Sequence, residues 1–471
     1  MKRACPNTFN LIFTISFFVF LFTGCTKDSD EVRDEDEVAE LVPPDPSNPK
    51  RVPFPQVAVE SIPYSEINEK EYVIETARWD IPTDRRDPIK TTDNLQKAID
   101  WAAAEGYGRI RLPKGHYLIG KYGNDIYQAG IELKSSMAFL LDKEAVIEMA
   151  PNDKWNYCAI AVTEKQYVVI SGGTIIGDRD NHTYTPRERD GSQVHDEGHL
   201  ICIQNESAYV TVENVTLTKA NGDGILLVGQ KGEGSSVKHI QIRNNNFSNN
   251  RRQGISVVGA EDLVIEKNEI HHTKGTAPQF GIDIESAIYK TKDVRIQQNY
   301  LHHNRGGDIV NVDGEDVVIQ QNILHQGEGN KYIDGPLVYK KQTNQIIGYN
   351  DITMLSVSVN NWNGIIMYSN KKEKRNDKVT IIEHNTCNNC GFFMYDSRDL
   401  VVRNNTLNKG HVAFRDFKNL TIINNTITHP GECWAYRFLR VSGSASGNTY
   451  NGEEKELPLQ IDTPWDGCWI R

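Results

Sequence analysis

The hexapeptide IEKNEI, residues 265–270, decides the fold because similar hexapeptides recur along the chain. Each has an aliphatic residue three positions before an asparagine, and nearly all have another apolar residue two positions after it. Successive asparagines are separated by 20 to 35 residues. A short β-rich unit that recurs at such a period indicates a solenoid of stacked coils. The asparagines of these repeats are Asn245, Asn268, Asn299, Asn322, Asn350, Asn385, Asn405 and Asn425.

Stacking of these units predicts an all-β, single-domain, right-handed parallel β-helix. Neighbouring coils of such a solenoid lie about 4.8 Å apart, so equivalent residues form columns along it. Aliphatic residues would fill the interior, and the asparagine amides would hydrogen-bond from coil to coil as a ladder. A β-propeller is the competing architecture, but its four-stranded blades need longer and more even repeats.

An N-terminal capping helix is predicted within TTDNLQKAIDWAAAEGYGRIRLPKGHYLI, residues 91–119. Thr92 is a candidate N-cap, and Gly106 would end the helix before the first strand. The apolar positions recur at helical spacing and would close the open end of the solenoid. They are Leu95, Ala98, Ile99 and Ala102.

The N-terminus predicts export. Residues 1–24 combine early basic residues with a short apolar run, which is typical of a signal peptide. The motif LFTGC, residues 21–25, resembles the lipobox of bacterial lipoproteins, which implies that Cys25 is lipidated and becomes the mature N-terminus. An ordinary signal peptide with an unrelated cysteine is the alternative.

Residues 25–69 are predicted to be an acidic, proline-rich tether, and residues 70–471 the catalytic domain. Much of the net charge of −11 lies in this tether, so the body is only mildly acidic and offers no broad basic surface for nucleic acid. The acidic stretch resembles the surface-export signals of Bacteroidetes lipoproteins. That resemblance implies a cell-surface protein of the outer membrane, held there by its lipid anchor alone. We expect a monomer.

The cysteines suggest structural roles, because export permits disulfides. CNNC, residues 387–390, lacks the second pair that a zinc site would need, so a structural bridge or buried thiols are favoured. Cys433 and Cys468 could join the C-terminal segment to the body.

Basic residues and histidines occupy equivalent positions of consecutive coils. Six positions after three successive ladder asparagines come Arg251, Lys274 and Arg305. Histidines occur three and four positions after ladder asparagines. They are His271, His302 and His325, and His272 and His303.

The segment QFGIDIES, residues 279–286, places two carboxylates beside these columns. Its period of two puts the isoleucines on one side of a strand and Asp283 and Glu285 on the other. Asp223 and Asp308 occur on nearby coils. Adjacent acidic and basic columns would form a groove for a linear anionic chain. Mutual neutralisation of the charges in a solvated surface network is the alternative.

Three further segments identify a resemblance. GRIRLPKGHYLI, VVISGGTIIGD and NGDGILL, together with the helix, resemble the pectate lyase and polygalacturonase superfamily of β-helical polysaccharide enzymes over roughly residues 85–430. The resemblance implies the fold but not one reaction, because that superfamily includes lyases, hydrolases, epimerases and phage adhesins. The paired aspartates of polygalacturonases are replaced here by RRQG, residues 251–254.

A lyase acting on a uronic acid polymer suits the residues best. Removal of the C5 proton requires a cation at the neighbouring carboxylate, a base, and an acid for the leaving oxygen. Lys274 between like charges would have a lowered pKa, which suits a base.

The candidate catalytic residues are Lys274, Arg252, His271 and His272, and the candidate substrate-binding residues are Arg251, Gln253, Arg305 and Asp223. Asp283, Glu285 and Asp308 are the candidate ligands of a Ca²⁺ ion, because carboxylate oxygens suit that cation. Glycosaminoglycans, pectin and alginate are the substrate classes that we expect.

Two other functions stay open at this point. Residues i and i+2 of a strand lie about 6.5 to 7 Å apart, a separation that inverting glycosidases use, so Asp283 and Glu285 could be the acid and base of a hydrolase. A non-catalytic surface glycan-binding protein is the second alternative. HDEGH, residues 195–199, is interpreted as a loop leading into a strand, with a possible place in the wall of the groove.

Overall fold

The computed structural model describes residues 64–120, 129–185, 195–229, 236–286, 289–326, 336–339, 345–354, 363–368, 380–429 and 436–454. Cys25, Cys433 and Cys468 lie outside these residues, so the lipidation of Cys25 and the pairing of Cys433 with Cys468 stay predictions. No helix in the described ranges is both long and apolar enough to span a membrane.

The first half of the described chain contains one α-helix, α1 at Pro88–Ala104, and 3-10 turns at Tyr64–Glu66 and Arg179–Asn181. Its strands are β1 Glu71–Val73, β2 Arg109–Leu112, β3 Gly115–Ile119, β4 Ala129–Glu132, β5 Met137–Leu141, β6 Ala145–Met149, β7 Asn156–Thr163, β8 Gln166–Ser171, β9 Thr174–Ile176, β10 Glu197–Gln204, β11 Ala208–Glu213, β12 Thr216–Thr218, β13 Asp223–Val228, β14 Val237–Arg243, β15 Asn246–Ser248, β16 Gln253–Val258, β17 Ala260–Glu266 and β18 Glu269–His271.

The second half continues the same pattern of short strands. They are β19 Phe280–Ile284, β20 Lys292–Gln297, β21 Tyr300–His302, β22 Gly307–Asn311, β23 Glu315–Gln320, β24 Ile323–Gln326, β25 Leu337–Tyr339, β26 Gln345–Gly348, β27 Asp351–Met354, β28 Asn363–Tyr368, β29 Thr380–Glu383, β30 Thr386–Asn388, β31 Gly391–Arg403, β32 Thr406–Asn408, β33 Val412–Ile423, β34 Thr426–Ile427, β35 Tyr436–Ser446, β36 Thr449–Tyr450 and β37 Glu453–Glu454.

The strands form three faces, and each middle coil contributes one strand to each face. Face 1 is the parallel stack that contains β10, β13, β16, β19 and β22. Face 2 contains β11, β14, β17, β20 and β23. Face 3 contains β12, β15, β18, β21 and β24. This arrangement confirms the predicted all-β parallel solenoid.

The interior is a column of aliphatic side chains in strict register. Ile225, Ile255, Ile282 and Ile309 lie directly over one another on face 1, and each is fully buried. Burial of one such side chain contributes roughly 1.5–3 kcal/mol, so the alternation of apolar residues inward fixes the register of every coil.

The asparagine ladder is present at all the predicted positions. Asn245 Nδ2 donates to Asn268 Oδ1 at 3.1 Å, and each later ladder asparagine repeats this bond to the next. The ladder continues one coil further than predicted, because Asn425 Nδ2 donates to Asn448 Oδ1 at 2.9 Å. The residue three positions before Asn448 is Ala445 rather than a larger aliphatic residue, so the sequence pattern did not include Asn448.

The capping helix is confirmed, but its predicted start is wrong. Helix α1 begins at Pro88, whose fixed φ suits the first helical position. Thr92 therefore lies inside the helix, where its hydroxyl donates to the carbonyl of Pro88 at 2.7 Å. The predicted apolar face is buried against the end of the solenoid core. It consists of Leu95, Ala98, Ile99 and Ala102.

Two disulfides join neighbouring parts of the coil stack. Cys387 and Cys390 form a bridge, which confirms their structural interpretation. Cys158 and Cys202 form a second bridge between β7 and β10 on face 1. The first bridge lies within one coil, whereas the second links two neighbouring coils.

At the C-terminal end of face 3 the pairing changes direction. Strands up to β36 pair in parallel, whereas β37 runs antiparallel to β36 and pairs Glu453 with Tyr450. This hairpin covers the edge of β36.

Candidate functional site

The two carboxylates that the sequence placed together lie on β19, at Asp283, and directly after it, at Glu285. Ile282 and Ile284 are fully buried in the core, and Asp283 and Glu285 alternate with them on the outer side of face 1. Asp283 is only 2% exposed, so neighbouring side chains cover it. Its backbone lies in register with Ser256 of the preceding coil.

Arg252 is buried among carboxylates of several coils. Its Nη1 donates a 2.8 Å hydrogen bond to Asp223 Oδ2, and its Nε lies 3.6 Å from Asp196 Oδ2. The backbone N–H of Arg252 donates to the carbonyl of Gly222 at 3.0 Å, which fixes the turn that leads into β16. A buried charge of this kind is tolerated only when it is paired.

The charges around Arg252 act on its pKa. Burial alone would lower the pKa of Arg252, but the surrounding carboxylates outweigh that effect and raise the pKa above its ordinary value. The guanidinium is therefore permanently charged. The carboxylates that act on it belong to Asp223, Asp196, Asp283 and Glu285. We call these four residues and Arg252 the Arg252 cluster.

Gln253 ties the cluster to the next coil. Its Nε2 donates to Asp283 Oδ2 at 2.5 Å, and its Oε1 accepts from the backbone N–H of Phe280 at 2.8 Å. One side-chain amide thus fixes both a carboxylate and the first residue of the strand that carries it. Gln253 is fully buried, so its role is to position Asp283.

His199 and Asp196 complete the site, although the sequence analysis did not include them among its site residues. The backbone N–H of Asp223 donates to His199 Nδ1 at 3.1 Å, and Asp223 Oδ2 lies 3.3 Å from the same nitrogen. Gly222 is required here, because a Cβ would lie 2.4 Å from the carbonyl of Asp196. HDEGH does run from a loop into β10, as predicted.

Asp308 does not lie with the other carboxylates. Gly307 pairs with Phe280, so the next residue, Asp308, is in register with Gly281. A side chain at this position points towards the interior of the solenoid. Its Oδ1 accepts a 2.9 Å hydrogen bond from Asn304, and burial raises the pKa of Asp308 to about 7. The structure therefore separates Asp308 from the proposed Ca²⁺ ligands Asp283 and Glu285.

The basic column has the register that the sequence predicted. The backbone N–H groups of Arg251, Lys274 and Arg305 each donate to the preceding coil, at 3.0, 3.0 and 2.9 Å. Their side chains differ in direction. Arg251 Nη1 donates to the carbonyl of His195 at 2.9 Å, and its guanidinium lies 4.4 Å from the ring centre of Tyr184.

Lys274 lies in an exposed turn next to the histidines. Its charge contributes to lowering the pKa of His272, which places it with that residue. Within the described ranges its ammonium group forms no ion pair. The assignment of Lys274 as the base stays a prediction.

The histidines form a second group on face 3. His271 and His272 face each other with their Nδ1 atoms 2.6 Å apart, and His302 and His303 repeat the arrangement at 2.8 Å. Burial, followed by the charges of neighbouring histidines, lowers the pKa of His271 and of His272 to about 4. These side chains are therefore uncharged at neutral pH.

His195 belongs to a third group, separate from His199. Its Nδ1 lies 2.8 Å from His182 Nε2, and His182 Nδ1 lies 2.7 Å from Asp178 Oδ2. Trp155 packs on the ring of His195 with ring centres 4.1 Å apart. His195 and His199 therefore do not share one metal site.

Sequence comparison supports the architecture. The family described as the right-handed beta helix region matches residues 188–351. The uncharacterized protein YclG of Bacillus subtilis is 31% identical over 263 residues, which cover 52% of this chain and 44% of YclG. The prophage-derived uncharacterized protein YorA of the same organism is 30% identical over 227 residues, which cover 45% of this chain and 38% of YorA. The chain thus spans less than half the length of these curated relatives.

Solved structures agree on the fold. The A-module of mannuronan C-5 epimerase AlgE6 from Azotobacter vinelandii superposes with a TM-score of 0.56 at 13% identity, covering 82% of this chain and 100% of that one. PfbA, a surface adhesin of Streptococcus pneumoniae, gives a TM-score of 0.58 at 17% identity, covering 83% and 96%. The chain is a right-handed parallel β-helix. At these identities the likeness establishes the fold alone, and it includes both an enzyme and an adhesin.

The β-helix thus brings together part of the predicted site. Arg252, Gln253, Asp223 and Asp283 are buried together on face 1, and the partly buried Glu285 lies beside them. His271, His272 and Lys274 form a second group at the end of face 3. Arg251 packs against the loop before β10, and Asp308 points into the interior.

Proposed function

We propose that this β-helical protein is a lyase that cleaves a uronic-acid-containing polysaccharide by β-elimination. The Arg252 cluster carries the proposal, because it gathers carboxylates from several coils on an outer face around one permanent positive charge. The fold is shared with the mannuronan C-5 epimerase module, and mannuronan is a uronic acid polymer. Epimerisation at C5 and β-elimination both begin with removal of the C5 proton.

The cluster could neutralise a substrate carboxylate in two ways. The guanidinium of Arg252 supplies positive charge, although Asp223 already accepts its hydrogen bond. Carboxylates outnumber the guanidinium in the cluster, and such an oxygen-rich, negatively charged set suits Ca²⁺. Asp283 and Glu285 would hold this ion, and when bound it would supply the positive charge that acidifies the C5 proton.

The protein's own groups have distinct parts in this proposal. Gln253 holds Asp283 in place, and His199 supports Asp223 from the preceding coil. Lys274 remains the proposed base, because its exposed turn can be reached by a long polysaccharide.

Digestion of a panel of uronate polymers tests the proposal. We expect ultraviolet absorbance from unsaturated uronate ends with at least one polymer, and loss of that activity in Asp283→Asn and Glu285→Gln. Substitution of one group acting in the transition state costs about 100-fold or more in rate. Glu261→Gln is the matched control, because Glu261 pairs with lysines on face 2, and it should keep full activity.

A glycoside hydrolase is the second candidate function. It is favoured by the placement of Asp283 on β19 and of Glu285 two residues further on, directly after the strand. A hydrolase would shorten the polymer without producing ultraviolet absorbance. Retention of polymer on the protein with no shortening would instead identify a binding protein, and would contradict both enzymatic functions.

A further inference from the structure

The histidine group on face 3 extends over three coils. His271, His302 and His325 lie in register, one above the other, on β18, β21 and β24. His272 and His303 follow the first two and have positive φ angles of 56° and 55°. We call these five residues the histidine ladder. A left-handed backbone at both positions turns the second imidazole back towards the first.

The ladder is built from two equal pairs. Within each coil the two imidazoles meet edge to edge through Nδ1, at 2.6 and 2.8 Å. Between coils the rings stack in parallel, with centres 4.7 Å apart for His271 and His302 and 5.0 Å apart for His272 and His303. Four Nδ1 atoms therefore converge on one small region.

Glu269 orients one of these imidazoles. His302 Nε2 lies 3.2 Å from Glu269 Oε1, so in a neutral ring the single proton sits on Nε2 and is donated to the carboxylate. The lone pair of His302 Nδ1 then faces the ladder. A carboxylate that fixes one ring nitrogen while the other nitrogen faces the ion is the usual environment of a metal-binding histidine.

We propose that the histidine ladder binds a divalent transition-metal ion of the zinc class, with His271, His272 and His302 as ligands. One nitrogen of each of these side chains lies within 4.8 Å of the others. Imidazole nitrogens prefer Zn²⁺, Ni²⁺ or Cu²⁺ over the hard cations Ca²⁺ and Mg²⁺. The ion would join two successive coils on face 3.

The distances require only a small adjustment. Tetrahedral zinc with bonds of about 2.0–2.1 Å separates its ligand nitrogens by about 3.4 Å. The Nδ1 atoms of His271 and His272 are 2.6 Å apart and would have to separate by about 0.8 Å. The ligand nitrogen of His302, which lies within 4.8 Å of the other two, would have to approach by up to about 1.4 Å.

His325 provides an independent observation. Its Nδ1 is buried, and within the described residues it makes no hydrogen bond. It lies in register with His302, so it is a candidate further ligand.

Titration of the full chain with ZnCl₂ in a calorimeter tests the proposal. We expect saturable Zn²⁺ binding that the ladder substitutions weaken, whereas any binding of CaCl₂ at Asp283 and Glu285 should be the same in the wild type and in the ladder variants. His271→Gln with His302→Gln should weaken binding by at least about 100-fold, and Glu269→Gln, which removes only the orienting carboxylate, by about 10- to 100-fold. His239→Gln is the control, because His239 pairs with Asp262 on face 2, and it should leave Zn²⁺ binding unchanged.

A spectroscopic readout accompanies the titration. Co²⁺ added in place of Zn²⁺ should give a visible absorption band of nitrogen-coordinated cobalt, which disappears in the double variant. If that variant loses its β-sheet circular dichroism, His272→Asn replaces it, since asparagine tolerates the positive φ. Absence of saturable binding, or binding equal in wild type and ladder variants, would overturn the site and leave two hydrogen-bonded pairs. Polysaccharide cleavage is assayed on Asp283 and Glu285, so the two proposals fail separately.

Discussion

At the scale of single residues, the Arg252 cluster depends on charges that are removed from water. The side chain of Asp223 is fully buried and that of Arg252 is 10% exposed, so each needs the other to offset its lost hydration. A surface pair differs, because water solvates both partners with or without the contact. Loss of one partner therefore lowers the stability of the protein much more for a buried ion pair than for an exposed one.

Replacement of Arg252 tests this difference. Arg252→Met should lower the free energy of unfolding by about 3–5 kcal/mol, because it leaves the Asp223 carboxylate buried without its guanidinium. The double variant Arg252→Met with Asp223→Leu should recover part of that loss. Urea denaturation followed by circular dichroism measures both.

The matched control is the exposed pair of Lys238 and Glu261, whose side chains are 38% and 34% exposed. Lys238→Met should cost no more than about 1 kcal/mol. An Arg252→Met variant as stable as this control would show that the guanidinium does not compensate a buried charge.

At the scale of the structural element, the asparagine ladder fixes one corner of each coil from Asn245 to Asn448. Asn245 Oδ1 accepts from the backbone N–H of Val215, and its Nδ2 donates to the carbonyl of Val212 at 2.9 Å. The neighbouring Asn246 points outward and donates to Glu269. Two adjacent asparagines thus have different functions, which a substitution can separate.

Asn245→Ala should destabilise the coil far more than Asn246→Ala. The first substitution leaves a buried N–H and a buried carbonyl without partners, at a cost of roughly 1–3 kcal/mol for each group. The second removes a half-exposed bond, at a cost of about 1 kcal/mol or less. Thermal and urea unfolding of the two variants compares them, and equal losses would contradict a structural ladder.

The sequence predicted the ladder and the solenoid because identical positions of successive coils repeat the same residue type. The placement of Asp308 could not be predicted this way. Its equivalent is Gly281, which has no side chain and so gives no sign that the position points inward. The contact between Arg252 and Asp196 also depends on the shape of two turns, which local spacing does not encode.

At the scale of the whole molecule, buried uncharged histidines make the fold sensitive to acid. Burial, with the charges of His429 and Arg437, lowers the pKa of His411 to about 3. An unfolded chain would bind a proton at this residue near pH 6.5, whereas the folded chain would not. Stability is therefore complete above about pH 6.5 and falls as the pH drops towards 3.

Urea midpoints measured between pH 7 and pH 5 test this dependence. The midpoint of the wild type should fall over this range, and that of His411→Gln should fall less, because one proton-linked group is gone. Parallel curves for the two proteins would contradict the assignment to His411. The other histidines are common to both proteins and cancel in the comparison.

The antiparallel strand β37 affects how copies of the protein can associate through the edge of face 3. A solenoid that stopped at a flat, parallel strand would present a row of open amide and carbonyl groups, on which another copy could stack into a growing fibre. Within the described residues, the last strand of face 3 is β37, a two-residue antiparallel strand of glutamates. A short, negatively charged edge of this kind disfavours end-to-end pairing of copies through this sheet.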